Sequence, residues 1–176
     1  MTFYPVAPPT NIGPVLVTGT PVAGSLTAAT SGTAAKWSAA PVTAKPANPA
    51  ATASATLVMM GAGSTAAYTA TASGIVYVTV TGTATTATAA VNLTLGGRFG
   101  TGTAPVNGAA VTGTRFGGAA DISPTPPALG VGVPFALTDV VTLTAGQANW
   151  FDIALLTSVG ADVASVANLS FSFSEL

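Results

Sequence analysis

Val76-Tyr77-Val78-Thr79-Val80-Thr81 sets three valines at even positions against a tyrosine and two threonines at odd ones. Strict alternation of this kind puts one set on each face of a strand. The same text recurs along the chain. Val91, Leu93 and Leu95 alternate with Ala90, Asn92 and Thr94. Phe151, Ile153 and Leu155 alternate with Trp150, Asp152 and Ala154, and Leu169, Phe171 and Phe173 with Ser170, Ser172 and Ser174. An antiparallel sheet with one face buried reads this way.

Turn signals punctuate these runs at Gly61-Ala62-Gly63-Ser64, Ser73-Gly74, Gly96-Gly97, Asn107-Gly108, Gly117-Gly118 and Ala145-Gly146-Gln147. Eight strands follow, near 56–60, 65–70, 74–84, 88–96, 111–116, 133–143, 149–157 and 166–175. The Ala-rich stretches are interleaved with Thr and Gly, so they build no helical face. The spacing predicts an all-β protein, an antiparallel two-sheet jelly-roll sandwich over 56–176. The segment from Asp121 to Gly130 holds three prolines and is read as a loop that crosses between sheets or lies on a neighbouring subunit.

Residues 1–55 read differently. Eight of the 13 prolines fall there, which excludes a central strand and a long helix. The stretch is read as an extended Pro-rich arm with one short strand or hairpin at most. Composition alone also fits a solvated tail. Against the tail stand Phe3, Tyr4, Ile12, Leu16 and Trp37, large apolar residues in a segment without a core. Phe3, Tyr4, Ile12 and Trp37 are therefore candidate anchors on a partner.

Charge narrows the function. Only 5% of the 176 residues are charged, four Lys+Arg and five Asp+Glu, with neither His nor Cys, while 49% are hydrophobic. Four scattered basic residues make no phosphate-binding stripe, so nucleic acid is not an expected partner. No apolar run is long enough for a membrane helix, and Met1-Thr2-Phe3-Tyr4-Pro5 lacks the basic and apolar regions of a secretory signal. A chain this apolar and uncharged aggregates unless its faces are covered, which predicts an obligate oligomer or a larger assembly.

Catalysis has little to draw on, and the chain is not expected to be an enzyme. A nucleophile needs a base beside it, and a Ser–Lys pair would rest on Lys36 or Lys45 in the Pro-rich arm. Paired carboxylates would come from Asp121, Asp139, Asp152, Asp162 and Glu175. Asp152 alone adjoins aromatic residues, and period two places it on the outward face while Phe151 and Ile153 face the core. The five acids are isolated, without Asp-x-Asp spacing, so no metal or other cofactor is expected.

An echo remains. Gly97-Arg98-Phe99-Gly100 and Thr114-Arg115-Phe116-Gly117 repeat Arg-Phe-Gly 17 residues apart and hold both arginines of the chain. The two copies can face each other across a hairpin. Arg98, Phe99, Arg115 and Phe116 then form a subunit-interface patch, or else pair locally, arginine with Asp121 or Asp139 and phenylalanine in the core.

Several runs also carry a resemblance. They are Leu57 to Gly61, Ser73 to Gly82, Arg98 to Ala110 with its Gly100-Thr101-Gly102-Thr103-Ala104-Pro105-Val106-Asn107-Gly108, Val133 to Leu137 and Asn149 to Leu155. In this order, and with a last alternating strand at the C-terminus, they resemble tailed-bacteriophage virion proteins similar to the tumour-necrosis-factor-like jelly rolls. The resemblance spans about 56–176 and its motifs are turn and core positions, so no functional residue carries over. It implies a homotrimer on the outer surface of the virion. The arm would bind the major capsid protein or another virion protein, as in a capsid decoration (cement) or head-fibre protein. The alternative is the receptor- or carbohydrate-binding head of a tail fibre.

Overall fold

The computed structural model describes residues 41–87, 91–128, 130–159 and 162–176. Its strands are β1 (Val42–Ala44), β2 (Val58–Met59), β3 (Ala67–Thr69), β4 (Ile75–Thr86), β5 (Leu93–Thr101), β6 (Thr114–Phe116), β7 (Val133–Thr142), β8 (Ala148–Thr157) and β9 (Ala164–Glu175). A single 3-10 turn, Ala62–Ser64, separates β2 from β3. One sheet has the order β1-β9-β4-β7; in the other, β8 lies between β5 and the β2 and β3 edge, and β6 closes the far side.

The pairings nest. β5 pairs with β6, β4 with β7, β3 with β8 and β1 with β9, all antiparallel. A long hairpin paired in this way and then wrapped on itself, so that β4 meets β9 and β5 meets β8, is a jelly roll. The expected fold class is the observed one.

Alternation supplies the core. Val76, Val78 and Val80 of β4 and Leu169, Phe171 and Phe173 of β9 face Leu93, Leu95, Phe151, Ile153 and Leu155 of the other sheet, all at most 2% exposed. Phe151 and Phe173 meet between the sheets with ring centroids 4.8 Å apart, and Phe116 packs edge-on to Phe151 at 5.7 Å. Such contacts add to area burial. A one-residue bulge in β9 between its pairings with Thr81 and Thr83, where Asn168 takes φ 54°, keeps Leu169 pointing inward.

Three expectations change at the level of elements. β1 lies in the stretch read as arm and pairs with β9, and Thr52 bridges Ala164, so the chain from residue 42 onward is already on the sandwich. The strand expected over 88–96 is β5, displaced to 93–101, and residues 88–90 are outside those described. Gly96-Gly97 is therefore no turn. A Cβ at Gly96 would run into the Asp121 carboxylate, and one at Gly97 would lie 2.5 Å from the Phe116 ring. Both glycines serve close approach inside a strand. The Pro-rich loop after β6 does cross from one sheet to the other, and Ile122 bridges Leu95 on the way.

Candidate interaction surfaces

The outer face of the β1-β9-β4-β7 sheet is made mostly of Thr, Ser and Ala across β9, β4 and β7, with Lys45 at its margin beyond β1. Register puts Thr43, Ser172, Thr79 and Thr138 in one row across four strands. Ser170, Thr81 and Ala136 form the row on one side, and Ser174, Tyr77 and Val140 the row on the other. Ile75, Tyr77 and Val140, 43%, 42% and 51% exposed, make an apolar corner. Asp139, on the edge strand of this sheet, is engaged with backbone. It accepts from Gly117 N–H (3.0 Å) and from its neighbour Val140 N–H (2.8 Å).

The opposite outer face is covered. β8 is buried along both sides, because the loops around 59–66 and 102–113 lie across it. Trp150 sits there with Met59 and Ala154 and donates from Nε1 to Thr101 O (3.1 Å). Asp152 points the same way, as alternation predicts, but the outward side is not solvent: its exposure is 0%. Its carboxylate accepts N–H bonds from Gly61 (2.9 Å), Ala62 (2.9 Å) and Ile153 (2.7 Å). Burial pushes its pKa up to about 6, against the opposing pull of these N–H groups. The sequence did carry a signal for this: the outward set of β8 contains Trp150 and Ala154, where that of β4 contains threonines.

The two Arg-Phe-Gly copies are brought together. Arg98 is the cross-strand partner of Arg115, and Gly97 that of Phe116. Arg98 is 6% exposed and grips Asp121 with two bonds, Nη1 to Oδ1 at 3.0 Å and Nη2 to Oδ2 at 2.9 Å. The bidentate geometry offsets the repulsion of two facing arginines. Phe116 is in the core, and Phe99, half-buried, stacks on Phe151. Arg98 and Phe116 are thus engaged inside the subunit, the local pairing. Of the four, only Arg115, which donates to Ala119 O, is well exposed. Phe3, Tyr4, Ile12 and Trp37 lie outside the described residues.

The end of the N-terminal segment is tied down at several points. Asn48 Oδ1 accepts from Asn168 N–H (2.9 Å), and Asn107 Nδ2 donates to Ala50 O (2.8 Å). Pro46 to Ala50 line one wall of an open groove of about 390 Å³ whose other walls are Met60 to Ala62 and Ala104 to Asn107. Lys45 is exposed. At the opposite corner, the Glu175 carboxylate accepts N–H bonds from Thr71 (2.8 Å), Ala72 (2.7 Å) and Gly74 (3.0 Å), which hold its pKa down at about 2. Sequence reading assigned neither bond set, since Asn107 and Glu175 both act on backbone groups distant along the chain. Among the described residues no three His, Cys, Asp or Glu side chains gather in one place.

No protein-family model matches the chain, and no curated protein shows significant similarity to it.

Proposed function

We propose that this chain is a structural component of a tailed-phage virion. It is a trimeric capsid decoration or head-fibre protein that stands on the coat shell and attaches through residues 1–40. The single observation that carries the reading is the outer face of the β1-β9-β4-β7 sheet, whose register rows across β9, β4 and β7 hold no charged residue, Lys45 standing only at its margin beyond β1. A face without charges associates with its copies without desolvating ions, whose burial is costly. The apolar corner at Ile75, Tyr77 and Val140 supplies area for the contact. The resemblance of residues 56–176 to virion jelly rolls supplies the threefold arrangement and the particle.

The chemistry of the interior supports a non-catalytic role. Asp152, the acid with the raised pKa, is sealed by three backbone N–H groups rather than open to a substrate. The tail-fibre alternative needs an aromatic platform for sugar. Trp150 does not offer one, being 5% exposed with its indole N–H already bonded.

The test is co-sedimentation of the purified protein with empty coat shells, comparing the full chain with residues 41–176. The cut falls before β1, so the sandwich keeps its edge strand. The full chain should bind at a saturating stoichiometry and the shortened one should not. Equal binding by both would move the attachment surface onto the sandwich. No binding by either would remove the decoration reading. Mass photometry of the full chain should show a trimer at micromolar concentration, and a stable monomer would end the trimeric part of the proposal.

A further inference from the structure

Asn107-Gly108 is the only Asn-Gly pair in the chain. It turns the chain between β5 and β6 with both residues exposed and Gly108 at φ +81°. Three hydrogen bonds leave this turn for two other segments. Asn107 Nδ2 donates to Ala50 O (2.8 Å) and to Met60 O (3.2 Å), and Gly108 N–H donates to Met59 O (2.8 Å). The side-chain amide thereby fastens residues 46–50 to the loop after β2, across the groove that these segments line. An amide suits the place because it offers two donors to two carbonyl oxygens. A carboxylate offers none.

We propose that Asn107-Gly108 is a deamidation site, and that its conversion to aspartate undocks residues 46–50 from this turn. In the first step the Gly108 amide nitrogen gives up its proton to hydroxide and attacks Cγ of Asn107. The new N–C bond closes a five-membered imide. The Cγ–Nδ2 bond breaks, and Nδ2 takes a proton from water and leaves as ammonia. Water then opens the imide at one of its two carbonyls, giving aspartate or isoaspartate at this position, with no change of oxidation state. Gly108 presents no side chain against this attack, and the space where a Cβ would stand is empty to 4 Å. The bond to Met59 O restrains the nucleophile, so the turn must open before the ring can close.

The product places a negative charge against Ala50 O and Met60 O, acceptor facing acceptor. Residues 46–50 then lose their side-chain tie to this turn, while the bond between Asn48 and Asn168 on the other side remains. The consequence for attachment rests on the reading of the N-terminal segment given above. The undocking does not.

The experiment uses the full-length protein without any partner, so it stands or falls separately from capsid binding. Protein aged at mildly alkaline pH is digested and its peptides weighed, and hydrogen exchange is followed at the Thr52, Met59 and Gly108 amides. Asn107 should convert ahead of the other five asparagines. Both the aged protein and Asn107→Asp should exchange roughly ten- to a hundredfold faster than fresh protein at these amides. That is the factor expected when one or two hydrogen bonds that hold a segment are lost. Asn107→Gln should age without the change. Faster conversion of another asparagine would overturn the site. Exchange at the fresh rate in the aged fraction deamidated at Asn107 would overturn the undocking, whether or not the Asn107→Asp variant folds when expressed.

Discussion

β4 and β8 are written in the same alternating text and end in different environments. Each places three apolar residues inward, Val76, Val78 and Val80 in one, Phe151, Ile153 and Leu155 in the other. The outward set of β4 is Tyr77, Thr79 and Thr81, and no described segment of the subunit is laid over it. The outward set of β8 is Trp150, Asp152 and Ala154, and loops bury all of it. Period two assigns residues to faces. What a face meets depends on which residues stand on it and on what the rest of the chain lays across it. No described segment covers the first face, and the second is spent on holding the subunit together.

That contrast can be broken in steps. The largest effect belongs to the shared core: truncation at Ala167 removes Leu169, Phe171 and Phe173 and should abolish cooperative thermal unfolding, because each buried side chain contributes about 1.5–3 kcal/mol. A cooperative transition in the 1–167 protein would mean that β9 is not central. Next comes the covered face. Trp150→Ala should destabilise by roughly 3–5 kcal/mol, as for other large core truncations, read from the denaturant midpoint. If it costs under about 0.5 kcal/mol, the figure for ordinary surface sites, the face is not a second core.

Two acids on opposite parts of the sandwich give the next contrast. The folded pKa of Asp152 lies above its ordinary 3.8, so the folded state takes up a proton first and stability falls as pH rises from about 4 to about 6. Glu175 runs the other way. Its folded pKa is about 2 against an ordinary 4.5, so its contribution is complete above 4.5 and is lost as pH falls toward 2. Stability measured against Asp152→Asn should therefore favour the wild type more at pH 4 than at pH 7. Against Glu175→Gln the wild-type advantage should shrink below pH 4.5. Flat difference curves would contradict both assignments.

The smallest effect on folding should come from the uncovered face, and it sharpens the comparison most. Tyr77→Lys should leave subunit stability within about 0.5 kcal/mol while shifting the proposed trimer toward monomer in mass photometry. An unchanged oligomer would locate the subunit contact elsewhere.

The sandwich was legible because alternation, turn residues and proline placement are local, and each constrains its own few residues. Leu169, Phe171 and Phe173 could be assigned to a core face from sequence alone. The Arg-Phe-Gly echo likewise indicated that two stretches face each other, which they do at Arg98 and Arg115. The glycines misled where they serve packing: Gly96 and Gly97 look like a turn, and only the Asp121 carboxylate and the Phe116 ring against them explain their presence mid-strand.

By itself, then, the sequence determined the class of fold, the inward residues of β4, β8 and β9, and the scarcity of ionisable chemistry. Tertiary structure alone decided that Asp152 is buried, that Arg98 closes on Asp121, that Glu175 gathers the N–H groups of the loop before β4, and that Asn107 fastens residues 46–50. The physical reason is separation. These contacts join groups 23 to 104 residues apart in the chain, most of them through backbone N–H and C=O groups that every residue type carries, so no pattern of side chains announces them.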